Sequence, residues 1–388
     1  MRSARTVALT LGCLLASSSM VSAQTITPIS GGFVLRLGRD TVAMERYERR
    51  EDRLEGDLLM RVPATARVRY TTEFGKDGRV TRSTARVEPL GSVHGGEPRK
   101  ITMEFMADSI RMTVDSGALH RVEMRRGAPG VVPLIAGPYA TSYATYEWLI
   151  GRAHDGDTVQ LAVVSPVTAR VGTALFIRHS KQRADIDFFG ENFMPVSLDA
   201  EGRLVAVDAN ALTVRSNAER VAPMDVGRLS ARFAALDRAG TGLGVVSPPD
   251  SVRGRVGGVR LAIDYSSPRM RGRPVLGGLV PYGMVWRTGA NASTTLQTDG
   301  DLMIGGQRLP AGTYSLWSVP FEDHAELILN RQHGQWGTEY DDTKDALHVT
   351  MQAATAEAQE RFTIRLAPEN VLEFRWSTFR WTVPIAQP

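Results

Sequence analysis

The chain has 388 residues, 43% of them hydrophobic and 23% charged, with a formal net charge of +4 and one cysteine. That length suggests two domains, or three. The small charge is a slight arginine excess and excludes the clustered basic face of a nucleic-acid binder, while a single cysteine excludes an intrachain disulfide framework.

Taken in chain order, the first feature is an export signal. Arg2 and Arg5 precede an uncharged run of eleven residues, Thr6 to Ala16, and then small residues ending in Val21-Ser22-Ala23. The run is too short to span a bilayer, which takes about 20 residues, but it suits the apolar region of a signal peptide cleaved after Ala23. Residues 1–23 are therefore expected to be removed, placing the mature protein in the periplasm or outside the cell. Cys13 lies inside this run. Thr10 stands where a lipoprotein signal wants Leu, which disfavours lipidation. Cleavage removes Cys13, leaving no thiol nucleophile or zinc–thiolate site. It also removes Arg2 and Arg5, lowering the +4 by two.

From residue 24 to 238 the chain alternates apolar and polar residues with period two. Phe33-Leu35-Leu37, Ile101-Met103-Phe105, Ile110-Met112-Val114 and Thr173-Leu175-Ile177 each read as the buried face of an antiparallel strand. Gly75-Lys76-Asp77-Gly78 and Asp199-Ala200-Glu201-Gly202 read as hairpin turns. Two stretches have helical spacing instead. Tyr139, Tyr143, Tyr146 and Ile150 follow Pro138, which suits a first helical turn. Val226, Leu229, Phe233 and Leu236 lie between a capping Asp225 and a stopping Gly240. The tyrosine stripe either lines a ligand cavity or packs a helix on a sheet. The expected architecture is a curved antiparallel sheet or half-barrel with one or two helices.

Residues 239–258 hold six glycines and Pro248-Pro249, which reads as a Gly/Pro linker. Beyond it, residues 259–388 show Val259-Leu261-Ile263-Tyr265, Phe362-Ile364-Leu366, Leu372-Phe374-Trp376 and Phe379-Trp381-Val383. Strands are also expected at 311–319 and 325–330, with a pair in 292–309. Short strands with Gly/Pro turns and little helix point to a β-sandwich or jelly roll, so the chain is mainly β. No later segment has the length and apolarity of a transmembrane helix.

This C-terminal part contains strings that periodicity does not demand. They are Tyr265-Ser266-Ser267-Pro268, Arg271-Gly272-Arg273, GGLVPYGMVWRTGANAS from Gly277 to Ser293, LPAGTYSLWSVP from Leu309 to Pro320, LILN ending at Asn330, and Trp336-Gly337. Together they resemble the bacterial family catalogued as domain of unknown function 2911, from about Val256 to Ile385. Met284 departs from the charged residue common there. The resemblance implies a fold and an exported setting rather than a reaction.

Read for their chemistry, Arg271, Arg273 and Arg287 bring planar guanidinium donors suited to carboxylate or phosphate. Asn291 and Asn330 add amides, and Trp286 and Trp317 add flat apolar surface. Gathered in one mouth, these would bind a small anionic or sugar-like ligand. Alternatively, Arg287 and Asn291 bond loop carbonyls and the tryptophans belong to the core.

Other chemistry lacks a local signature. The seven histidines (His94, His120, His154, His179, His324, His333 and His348) form no H-x-H pair and no H-E-x-x-H helix. His324, His333 and Glu339 are at most a dispersed metal set. Asp341, Asp342 and Asp345, or Asp299 with Asp301, do not match a twelve-residue calcium loop. There is no G-x-S-x-G, S-x-x-K, phosphate-binding loop or dinucleotide fingerprint. No cofactor is implied, catalytic residues are unassigned, and oligomeric state is open. The leading expectation is a non-enzymatic envelope protein binding a small molecule, lipid or polymer. The alternatives are an extracytoplasmic hydrolase with a site built from dispersed residues, and a structural or protein-interaction module.

Overall fold

The computed structural model describes residues 28–91, 96–127, 130–135, 139–166, 171–188, 193–210, 212 and 214–388. The expected signal peptide, Pro138 and His94 lie outside the described residues.

The first sheet is built largely by a meander. Strands β1 (Ile29–Leu37), β2 (Asp40–Arg49), β3 (Arg53–Met60), β4 (Ala66–Phe74), β5 (Val80–Pro89), β6 (Arg99–Phe105), β7 (Ser109–Ser116) and β8 (Leu119–Arg126) each pair antiparallel with the next. The short β9 (Val132–Pro133) and helix α1 (Tyr143–Ile150) follow. A second run, β10 (Thr158–Val164), β11 (Val171–Ser180), β12 (Arg183–Phe188), β13 (Met194–Leu198), β14 (Leu204–Val207) and β15 (Asn217–Val221), returns to pair β15 with β1. Among the described residues the result is a fifteen-stranded sheet with β8 and β9 at its edges.

One hydrophobic cluster joins Val68, Ile101 and Ile110 from one half with Val163, Phe176, Ile186 and Leu204 from the other, and with Tyr143 and Tyr146 of α1. Residues so far apart in strand order meet only if the sheet curves around the helix. Ser142 starts α1 by accepting a hydrogen bond from the Thr145 N–H, so Tyr139 lies before the helix rather than in its first turn. The tyrosine stripe packs inward: Tyr143 lies 5.8 Å from Phe33 and Tyr146 lies 6.1 Å from Phe176, centroid to centroid. Helix α2 (Val226–Arg238), capped by Asp225, covers the opposite face, where Val226 and Phe233 meet Val34, Met44 and Leu59.

The expected hairpins form at Gly75–Gly78 and Asp199–Gly202. The inward face of β11 is the reverse of the one read from sequence. Ala174 and Phe176 are buried, while Thr173 is exposed and Leu175 and Ile177 are only partly covered. Both sets are apolar enough to satisfy a period of two, so only the pairing with β10 and β12 decides between them.

The second sheet runs in the order β16-β17-β18-β21-β22-β23-β24-β19-β20. Its strands are β16 (Pro249–Val256), β17 (Val259–Ser266), β18 (Thr294–Thr298), β19 (Leu302–Ile304), β20 (Gln307–Leu309), β21 (Gly312–Pro320), β22 (His324–Asn330), β23 (Asp345–Ala367) and β24 (Val371–Ala386). The stretch read as a linker therefore ends earlier, because Pro249–Val256 pairs along its whole length with β17. Its glycines and prolines mask an edge strand, where an unpaired backbone tolerates both. Three strands, not two, occupy 292–309.

The long β23–β24 hairpin folds this sheet over its own core as a sandwich. Register shifts fall at Thr355/Gln359 and Gln359/Thr363. Opposite them Ser377 has φ 51°, a bulge that flips the alternation so that Phe374, Trp376, Phe379 and Trp381 all point inward. Closure brings β16 against the far end of β23, where Gly254 packs on Leu366.

Candidate functional site

The strings singled out in the C-terminal part fall in different places. Trp286 pairs with Ser318 across a β-bridge, so both face the sandwich core. There Trp286 stacks on Trp376 at 6.0 Å, and its indole N–H donates to the Gly289 carbonyl at 3.1 Å. Trp317, one residue from Ser318, points to the other face of β21, where it meets Tyr340, Val319 and Ile328. The two tryptophans thus cannot line one mouth. Asn330 is buried and donates to the Asp341 carbonyl and to Asp345 Oδ1, each at 2.7 Å, fastening the 331–345 loop. Asn291, at φ 61°, donates to Ser266 Oγ at 3.2 Å, and its carbonyl accepts from Arg287 Nη1 at 3.0 Å. These four residues hold loops and core together.

The arginines do gather, at the junction between the two sheets. Arg271 (φ 52°) enters the turn between β1 and β2, and its Nη1 pairs with Asp40. Its backbone N–H donates to Glu360 Oε1 at 2.9 Å, and its carbonyl accepts from the Arg39 N–H at 2.8 Å. Only 3% of Arg271 is exposed. Its Nε and Nη2, the edge that grips two oxygens at once, have no hydrogen-bond partner among the described residues.

Beside it Arg273 is pushed down to about 10, first by burial and then by the charges of Arg271 and Arg215. Arg215 reaches from the first sheet to the Gly278 carbonyl at 2.6 Å. Burial also lowers Arg287, with the charge of Arg215 acting in the same direction. Arg273 thus feels the charges of Arg271 and Arg215, and Arg287 that of Arg215, so the four guanidinium groups form a loose row. Asp40, on Arg271, and Glu360, within 3.7 Å of Arg39, are the carboxylates at this junction. Among the described residues none lies within ion-pair distance of Arg215, Arg273 or Arg287. A half-buried row of like charge attracts an oxyanion strongly, because little water screens it.

Arg215, Asp40 and Glu360 were not singled out from sequence. No motif marks them, and they lie on segments far from the C-terminal strings.

A second polar cluster is closed off inside the first sheet. Glu45 is fully buried and accepts from Tyr70 Oη at 2.6 Å and from the Tyr143 and Ala144 N–H groups at 2.8 and 3.1 Å. Burial raises its pKa in spite of those hydrogen bonds. Glu147 on α1 accepts from Tyr47 Oη at 2.5 Å and the Leu204 N–H at 3.0 Å, and pairs with Arg220. This network seats α1 against the sheet.

Five histidines lie beside an aspartate: His120 on Asp115, His154 on Asp157, His179 on Asp185, His324 on Asp323 and His348 on Asp345. Asp345 is further held by Tyr340 Oη at 2.6 Å. Among the described residues no three His, Cys, Asp or Glu side chains gather to hold a metal ion. Among the described residues no helix is long and apolar enough to cross a membrane.

Comparison with known proteins finds a family model that matches the second sheet. Residues 247–385 match the model of a protein family of unknown function, DUF2911, a span that includes β16. Among solved structures, the chain is similar to a DUF1089 family protein from Pseudomonas aeruginosa, with 12% identity over 43% of this chain and 89% of that one, at a TM-score of 0.31. It is also similar to a β-barrel-like protein of domain of unknown function DUF1849 from Brucella abortus, with 11% identity over 51% of this chain and 97% of that one, at a TM-score of 0.34. No curated protein matches.

Proposed function

We propose that the chain is an exported, non-enzymatic binding protein that holds a small anionic molecule at the junction of its two sheets. One observation carries the reading: among the described residues Arg271, only 3% exposed, has Nε and Nη2 unpartnered, and the neighbouring Arg215, Arg273 and Arg287 have no carboxylate within ion-pair distance. Such a row is costly for the empty protein and favourable once an oxyanion enters. The Arg271 Nε–Nη2 edge supplies two donors without a partner among the described residues, and Arg215 and Arg287 each bring a further guanidinium. Export rests on the residues 1–23 pattern, and it places the ligand in the periplasm or the surrounding medium.

The test is calorimetric titration of inorganic phosphate and of acetate into wild type and into Arg215→Ala and Arg273→Ala variants, each shown to be folded by circular dichroism. Removing one charge-assisted contact of about 1.5–3 kcal/mol weakens binding by roughly tenfold or more. Unchanged affinity in both variants would remove the site. Export is tested separately, by cell fractionation and by the mass of the mature chain, which should begin at Gln24.

A further inference from the structure

Between two buried residues, Val280 and Trp286, the loop Pro281–Val285 is exposed along its whole length. It nevertheless carries large apolar side chains: Tyr282 is 46% exposed, Met284 61% and Val285 41%. The loop is tied down. Gly283 N–H donates to the Pro320 carbonyl at 2.9 Å, Trp286 N–H to the Ser318 carbonyl at 2.8 Å, and Gly277 N–H to the Val280 carbonyl at 3.0 Å. A fixed backbone presenting apolar side chains to water is a standing cost that calls for an apolar occupant.

The position of this loop suggests what the occupant is. The Gly278 carbonyl, three residues before Pro281, is the one that receives Arg215. The Tyr282 ring lies over Gly277, and Arg287 follows Trp286 directly. On the other flank of Arg287 stands Trp336, 49% exposed. Its neighbour Gly337 packs so tightly on Arg287 that a Cβ there would come within 2.2 Å of Arg287 Cδ. Among the described residues from 247 onward, Tyr282, Met284, Val285 and Trp336 are all of the exposed large hydrophobic side chains. Every one belongs to a segment that touches the Arg215–Arg287 end of the row.

We infer that the ligand is an amphiphile, with one oxyanion head held by the arginine row and an apolar chain laid over Tyr282, Met284, Val285 and Trp336. This rests on the anion-binding reading above and adds the class of molecule. Charge complementarity selects it: the row lacks carboxylate partners at its Arg215, Arg273 and Arg287 positions, and the unpartnered Nε and Nη2 of Arg271 are buried beyond the reach of a flat protein face. Arg287 joins the two, following Trp286 at the end of the apolar loop and packing on Gly337 beside Trp336, as a head-and-chain molecule requires.

Laurate, kept below its micelle-forming concentration, acetate and dodecanol are titrated into the full mature chain. Laurate is expected to bind at least about tenfold more tightly than acetate, since each methylene removed from water strengthens binding about fourfold. It should also shift the emission of exposed Trp336 to shorter wavelength. Met284→Ser combined with Val285→Ser, both on exposed positions, should erase the advantage of laurate. If acetate binds and laurate gains nothing, the amphiphile is overturned and the anion site stands. If dodecanol binds as tightly as laurate, the head plays no part and the inference fails. If phosphate, acetate and laurate all fail to bind, the arginine-row reading itself falls. If the protein sediments with anionic phosphatidylglycerol vesicles but ignores free laurate, the occupant is a membrane surface and the single-molecule ligand is overturned.

Discussion

Arg271 of the second sheet's domain is ion-paired with Asp40 in the β1–β2 turn of the first, across 231 positions of sequence. The same turn returns a backbone hydrogen bond, from the Arg39 N–H to the Arg271 carbonyl at 2.8 Å. Arg271 thereby ties the two sheets through both side chain and backbone, and it is also the most buried member of the arginine row.

Asp40→Ala should be more damaging than Arg271→Met. Removing the aspartate strands a nearly buried guanidinium that already has two N–H groups without partners, which costs about 2–4 kcal/mol. Removing the arginine takes away both its charge and that burden. Urea unfolding of the two variants measures the difference, and equal losses would mean that Arg271 is solvated.

Gly38 has φ +59°, and a Cβ on it would lie 2.2 Å from the Arg271 carbonyl oxygen. Gly38→Ala should therefore cost more than the ordinary left-handed penalty of about 1 kcal/mol. It should also speed hydrogen exchange at the Arg39 amide. Normal protection there would show that the turn can move aside freely.

Arg273→Met removes a like charge from the row together with the hydrogen bonds from its Nε and Nη2 to the Met270 and Arg269 carbonyls, so the two effects should offset to within about 1 kcal/mol in the empty protein while phosphate binding weakens. Salt screens only the repulsion, so the variant should compare best with wild type at low ionic strength. Denaturation at two ionic strengths tests this. A loss of stability beyond that range would mark Arg273 as a structural residue.

Glu45 has its pKa raised by burial, so the folded state binds its proton more tightly than the unfolded chain. Its contribution to stability is full below the ordinary carboxylate value and is lost as pH rises through the folded value. Glu45→Gln keeps an acceptor for the Tyr143 and Ala144 N–H groups and can donate to Tyr70, which bonds Ser142 at 2.8 Å. The variant should match or exceed wild type at pH 7 and lose that dependence. A clear loss at pH 7 would refute it.

Glu373 behaves in the opposite sense. Burial pushes its pKa up, but hydrogen bonds from Arg380 and Arg365 outweigh it and hold the carboxyl below its usual value. Its stabilisation is present above the unfolded carboxylate value and is lost as pH falls through the folded one. Glu373→Gln should flatten the acid limb of a thermal-melting profile. An unchanged limb would assign acid sensitivity elsewhere.

Much of the architecture is legible in local pattern. Alternation at Phe33-Leu35-Leu37 and Val259-Leu261-Ile263-Tyr265 marks strands, Asp225 and Gly240 bracket α2, and the Gly75–Gly78 and Asp199–Gly202 turns mark hairpins, because these depend on neighbours a few residues away. Where two faces of a strand are both apolar, as in β11, the same pattern is ambiguous. Where composition imitates a linker, as at Pro249–Val256, an edge strand is hidden.

The candidate site divides in the same way. Sequence by itself determined that Arg271, Arg273 and Arg287 are chemically suited to an oxyanion. Only the tertiary structure decided that they stand with Arg215, that Trp286 and Trp317 face opposite ways, and that Asn291 and Asn330 serve loops. The physical reason is that residue type sets what a side chain can bind, whereas convergence depends on sheet curvature and on how two sheets dock. Those are properties of contacts between residues as distant as Asp40 and Arg271.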